Sequence, residues 1–164
     1  MLHILHCLYE LHEEEFVREA MGVWGEVMFD RIPLTRTDCW VLLYCLQCCP
    51  TIGSLKLTKC NITAEKLRML QPALSRCEKL GLNVERLSDA DVGVLISALG
   101  EGKILTELIV EESSLSPESV EQVLSVLSRQ KSVGEVCLSV TTITGTTAVL
   151  CLDFIQNTET CHHL

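Results

Sequence analysis

The sequence predicts an α/β fold in which short parallel strands alternate with helices in one direction, forming a curved solenoid with strands on the concave side and helices on the convex side. Three observations predict it. An apolar template recurs five times, a hydroxyl residue follows every copy, and an apolar stripe with helical spacing follows every hydroxyl.

The first element is an N-terminal helix over residues 1–22. Leu5, Leu8, His12 and Phe16 fall near one face, while Glu10 and Glu13 to Glu15 make the remainder acidic. A helix of this kind suits a cap that closes the exposed apolar end of a stacked array. Residues 23–157 hold the five repeats, and 158–164 form a short tail.

Each repeat opens on four apolar marks. They are Trp24-Val27-Phe29-Leu34, Ile52-Leu55-Leu57-Ile62, Cys77-Leu80-Leu82-Leu87, Leu105-Leu108-Val110-Leu115 and Val133-Val136-Leu138-Ile143. The second marks advance in steps of 28, 25, 28 and 28 residues. Alternation around the second and third marks is the period of a half-buried strand. The next residue is Thr35, Thr63, Ser88, Ser116 or Thr144, and a hydroxyl there accepts from an unpaired N–H of a helix's first turn. Asp91 after Ser88, and Pro117 with Glu118 after Ser116, add helix-start chemistry. The helices then carry Cys39-Leu42-Leu46, Leu67-Leu70-Leu74, Val92-Leu95-Leu99, Val120-Val123-Leu127 and Ala148-Cys151-Ile155 on one face. No unit of this kind buries its own apolar face, so the copies stack into a parallel sheet and a helix layer around a continuous core. Pro72 lies inside the second helix, where it removes a backbone donor and is expected to kink it. The last helix has no distinct polar closing repeat after it, so this end reads as cut short.

Composition narrows the function. At 164 residues the chain is one domain, and an apolar share of 48% excludes a disordered tail. No uncharged apolar run reaches the roughly 18 residues of a membrane span, and no basic, apolar leader opens the chain, so a cytoplasmic location away from membranes is expected. A net charge of −9 repels phosphate backbones, which argues against nucleic acid as a partner. Ten cysteines in such a chain read as reduced thiols, with Cys45, Cys48 and Cys49 as small buried side chains rather than metal or redox ligands. Cys161, His162 and His163 lie at the terminus with no further ligands near them in the pattern, so no metal site and no cofactor is expected. The histidines fall only at 3, 6, 12, 162 and 163, too far apart along an array to pair with a nucleophile, so no enzyme is expected. Trp24 and Trp40 read as core anchors of the first unit.

The strand template and its period resemble the ribonuclease-inhibitor-type leucine-rich repeat. The segment ILHCLYELHEEEFV, followed by PLTRTDCWVLLYCLQCCPTIGSLKLTKCNIT, is similar to the NOD-like receptor family where the helical end of the NACHT region meets the first repeats. Within that family the likeness is to the group typified by NLR family CARD domain-containing protein 3. The resemblance implies a leucine-rich-repeat arm that binds another protein or the upstream NACHT domain of its own receptor. It also implies an Asn or Cys three residues after the third mark, linking successive turns. Here those positions hold Ile32, Cys60, Glu85, Ser113 and Thr141, so only Cys60 conforms and looser turns are expected. No phosphate-binding loop is present: Gly100-Glu101-Gly102-Lys103 lacks both the spacing and the hydroxyl, and reads as a turn.

Side chains between the apolar marks point away from the helices. In order they are Met28, Asp30 and Arg31; Lys56, Thr58 and Lys59; Gly81, Asn83 and Val84; Ile109, Glu111 and Glu112; and Cys137, Ser139 and Val140. The candidate protein-binding face consists of Arg31, Lys56, Thr58, Lys59, Asn83, Ile109, Glu111, Glu112 and Ser139, basic at one end and acidic at the other. The expected function is partner recognition or autoinhibition in an innate immune sensor. The alternative is a stand-alone scaffold that occludes a basic protein, which the negative net charge suits.

Overall fold

The computed structural model describes residues 1–85, 88–101, 105–130 and 132–140, together with 145, 146, 148, 149 and 152. The elements are α1 (Leu2–Leu11), α2 (Glu14–Trp24), β1 (Glu26–Asp30), α3 (Arg36–Gln47), β2 (Ile52–Thr63), α4 (Ala64–Leu74), β3 (Cys77–Glu85), α5 (Val92–Glu101), β4 (Glu107–Leu115), α6 (Pro117–Leu127) and β5 (Glu135–Val140). The five strands are all parallel and follow one another in chain order across a single sheet.

The register follows the template. Val27, Leu55, Leu80, Leu108 and Val136 lie side by side across the sheet, and Phe29, Leu57, Leu82, Val110 and Leu138 form the next row. The first row is buried throughout, and it joins the helix stripes Cys39-Leu42-Leu46, Leu67-Leu70-Leu74, Val92-Leu95-Leu99 and Val120-Val123-Leu127 in one continuous core. Burial of this area is the main force holding each helix onto the sheet.

The helix starts follow local chemistry. Thr35 caps α3 with a full capping box: its Oγ1 accepts from Asp38 N at 3.1 Å, and its own N–H donates to Asp38 Oδ2 at 2.8 Å. Thr63 accepts from Lys66 N, and Ser116 accepts from Ser119 N with Pro117 just inside α6. Ser88 departs from the pattern. Its hydroxyl donates to the Asp91 carboxylate across a turn, and α5 begins only at Val92. The third unit also turns inward early. Val84, expected on the outer face, is buried and pairs with Ile62, so it takes the place opposite the second unit's fourth mark. The fourth marks Leu87 and Ile143, the cap Thr144, most of the fifth helix and the 158–164 tail lie outside the described residues.

The N-terminal segment is two helices rather than one. His12 adopts a left-handed backbone at φ 53°, where its N–H donates to Tyr9 O and ends α1. That break resets the helical phase. Leu5 and Leu8 are buried as expected, but after the break Val17 and Met21 turn inward and Phe16 turns out. Both helices pack on α3. His6 Nε2 donates to Asp38 Oδ1 at 2.7 Å, and Arg18 Nε donates to Cys48 O at 2.9 Å, so the pair grips both ends of α3. At the α2–β1 junction Gly25 has φ +64°, and a Cβ on Gly53 would fall 2.5 Å from its carbonyl oxygen, so the close approach of the two backbones requires glycine at 53.

Candidate protein-binding face

The sheet face turned away from the helices carries three rows of side chains. The first runs Glu26, Ser54, Lys79, Glu107, Glu135; the second Met28, Lys56, Gly81, Ile109, Cys137; the third is short, with Asp30 and Thr58. Strand alternation puts these residues outward because the marks between them are locked into the core.

The expected basic end is not free. Lys56 Nζ lies 3.6 Å from Glu107 Oε1, and Lys79 Nζ lies 3.4 Å from Glu107 Oε2. Glu107 is only 13% exposed, so one mostly buried carboxylate holds two ammonium groups from neighbouring strands. Sequence reasoning missed both Glu107 and Lys79. They sit one step before the second mark, and the signal was the polar row that the 28-residue step places in register. Ser54 Oγ extends that row by donating to Glu26 Oε1 at 3.0 Å.

Arg31 and Lys59 occupy equivalent points in the first two units, just beyond Asp30 and Thr58. Both have a left-handed backbone, φ 55° and 51°, and both are exposed. Arg31 Nε lies 3.8 Å from Asp30. Thr58 is half-buried and Ile109 half-buried, while Met28 and Cys137 are exposed, giving an apolar centre to the face. Asn83, expected on this surface, is only 4% exposed, and its Nδ2 has no hydrogen-bond partner among the described residues. The side chains of Glu111, Glu112 and Ser139 lie outside what the structure describes.

Cys60 links units as its position implies. Its thiol donates to Phe29 O at 3.3 Å and Thr58 O at 3.1 Å, and Leu34 N donates to Cys60 O at 3.0 Å. Ile32, at the matching point of the first unit, points outward instead. Further links come from Arg76, whose Nη1 donates to Gln47 O and Cys49 O, and from Asp89, which accepts from Ser116 N and Ser119 Oγ.

The buried thiols are held in their protonated form. Burial pushes Cys45 and Cys77 up to about 12 and Cys39 to about 11, and raises Cys48, Cys49 and Cys60 as well. A thiol held protonated at neutral pH is a poor nucleophile and a poor metal ligand. Trp40, expected in the core, is 55% exposed on α3. Its neighbours Cys39, Val41 and Leu42 take the inward positions instead. Trp24 is half-buried against the core. A cleft of about 400 Å³ opens beside Gly25 and Gly53, with Arg18 and Glu78 as its charged residues. Among the described residues no helix is long and apolar enough to cross a membrane.

No family model matches the chain. Among curated proteins it is 47% identical, over 72% of its length, to the NACHT, LRR and PYD domains-containing protein 1 homolog of Danio rerio, covering 9% of that protein. It is 48% identical over 40% of its length to NACHT, LRR and PYD domains-containing protein 6 of Mus musculus, covering 8% of it. It is 31% identical over 70% of its length to NACHT, LRR and PYD domains-containing protein 3 of Homo sapiens, covering 12% of it. The chain therefore spans about a tenth of the length of these relatives, whose names give them NACHT, LRR and PYD domains. Among solved structures, leiomodin-1 actin-binding site 2 superposes with a TM-score of 0.67 at 10% identity, over 88% of this chain and 86% of that one. At that identity the likeness concerns the fold alone. The in-register apolar rows and the sequence relatives together place the chain in the NOD-like receptor family, within its leucine-rich-repeat region.

Proposed function

We propose that this chain is a non-catalytic, cytoplasmic protein-binding module that engages a partner, or the NACHT-containing remainder of a receptor, through the outer face of its sheet. The observation that carries this reading is the division of the strands. One face is sealed into the core, and the other displays Met28, Ile109 and Cys137 beside the charged row of Glu26, Lys79, Glu107 and Glu135. Apolar centres rimmed by charge are the surfaces on which proteins recognise one another. Arg31 and Lys59 are the cations to test, because Lys56 is already held by Glu107. The NACHT-containing remainder of the Danio rerio relative is a defined partner to mix with this chain. Association that weakens about tenfold in an Arg31→Glu/Lys59→Glu variant supports the proposal. No association, or one indifferent to both charges, overturns it.

The second reading, a scaffold occluding a basic protein, draws on the net charge of −9, with Glu26, Asp30, Glu107 and Glu135 on the same face. Under that reading the Arg31→Glu/Lys59→Glu variant binds a basic target more tightly.

A further inference from the structure

The middle row of the outer sheet face presents no charge, although a lysine stands in it. Met28, Lys56, Gly81, Ile109 and Cys137 lie side by side across the five strands. The Lys56 ammonium is drawn out of that row to the neighbouring one, where Glu107 holds it at 3.6 Å. Its stem runs over the bare backbone of Gly81: a Cβ on that residue would lie 3.1 Å from Lys56 Cγ and 3.6 Å from Lys56 Cβ. A lysine stem covers apolar surface in this way when its charged head is taken elsewhere. Glu107 therefore acts as a positioning residue. It leaves a strip made of a thioether, a methylene stem, an isoleucine side chain and a thiol, with Met28 and Cys137 exposed at the two ends.

Spacing selects what fits this strip. Neighbouring strands stand about 4.8 Å apart, so five of them span about 19 Å. One helical turn rises about 5.4 Å, close to one strand step, whereas an extended chain returns a side chain to the same face only every 6.6 Å or about that. A helix of about 13 residues lying across the strands thus sets one apolar side chain over each strand, and an extended segment falls out of step. Charge flanks the strip on both sides. Glu26 and Glu135 stand at the two ends of the row on the Glu107 side and form no ion pair among the described residues; Glu26 accepts from Ser54 Oγ. Past the strand ends on the opposite side are Arg31, 3.8 Å from Asp30, and Lys59, which forms no ion pair among the described residues.

Resting on the protein-binding reading of this face, we propose that its partner is an amphipathic helix lying across the strands. The helix sets its apolar stripe on the row from Met28 to Cys137, turns Lys or Arg residues toward Glu26 and Glu135, and turns Asp or Glu residues toward Arg31 and Lys59. Helices are received by apolar strips through anchors spaced one turn apart. The flanks choose among them, because a helix with one sign of charge on both sides meets repulsion along one edge of the strip.

The test uses the whole chain and three synthetic peptides. One is a helix with a leucine stripe, lysine along one flank and glutamate along the other; one has serine in place of the stripe; one keeps the stripe and flanks but carries a central proline, which breaks the helix. The first is expected to bind, and the other two at least about tenfold more weakly. Glu107→Gln frees the Lys56 ammonium into the middle row and is expected to weaken binding of the first helix about tenfold, whereas Glu107→Gln/Lys56→Met, which makes the row apolar again, is expected to recover it. Far-UV circular dichroism checks that each variant is folded. Equal binding of the serine or proline peptide, or no recovery in the double variant, overturns the proposal. If the NACHT-containing remainder associates through Arg31 and Lys59 while the leucine-striped helix does not bind, the helical partner is overturned and the protein-binding reading stands; if neither associates, both are overturned.

Discussion

The side chain of Lys56 passes directly over Gly81 on its way to Glu107, two strands from its own. A methyl group on Gly81 would lie 3.1 Å from Lys56 Cγ, and Lys56 Nζ ends 3.6 Å from the Glu107 carboxylate. The missing side chain of β3 thus lets a lysine of β2 reach a carboxylate of β4.

Replacing Glu107 by Gln leaves Lys56 and Lys79 side by side without their shared anion. The expected loss is about 0.5–1 kcal/mol at low salt, shrinking as ionic strength rises. In a Gly81→Val background the same change is expected to cost less, because the branched side chain pushes Lys56 aside and only Lys79 remains. Urea unfolding of the native chain and the three variants at two ionic strengths reads both effects.

The Asp38 carboxylate sets an acid limit. Burial raises its pKa, but hydrogen bonds from Thr35 and His6, with the charge of His6, win and hold it below 3.8. A depressed folded pKa contributes stability that is present above the unfolded value and disappears as pH falls through the folded one. Asp38→Asn should therefore cost about 1 kcal/mol near neutrality and progressively less below about pH 4. Urea midpoints across that range check it, and parallel pH curves for the two proteins contradict it.

Cys60 is fully buried, and its thiol bonds two carbonyls of the turn region. Cys60→Ala removes both bonds and opens a small void, an expected loss of about 1–2 kcal/mol. The midpoint of urea unfolding measures it.

Among the described cysteines only Cys7 and Cys137 are exposed. Native-state alkylation followed by peptide mass spectrometry should mark these two and leave Cys39, Cys45, Cys48, Cys49, Cys60 and Cys77 untouched until urea is added. Rapid native labelling of Cys45 or Cys77 would contradict the burial that raises their pKa.

Phe29 and Trp40 offer a contrast within one unit. Phe29→Ala should cost about 3–5 kcal/mol, whereas Trp40→Ala should stay within about 0.5 kcal/mol because the indole is largely in solvent.

What the sequence made legible was whatever repeats. The rows beginning at Val27 and Phe29 align because a fixed step and a period-two strand leave one register in which both rows of apolar marks face the core. Departures came where a local event resets the phase. His12 breaks one helix into two, and Val84 turns inward ahead of Leu87. Trp40 lies outside because Cys39 and Leu42 already fill its helix's inward face. On the candidate face Arg31, Lys56 and Lys59 were readable by position. Their pairing was not: Lys56 reaches Glu107, fifty-one residues later, only because Gly81 between them has no side chain.

Strands in this sheet pair only with the strand before and the strand after. Length is therefore a free parameter of the design. Duplicating one whole unit between β3 and β4 would add a rung while disturbing contacts only at the two splice points, and deleting one would do the same in reverse. Changes in whole units should thus be tolerated where the loss of even one residue inside β2 would turn the side chains beyond the deletion to the wrong face.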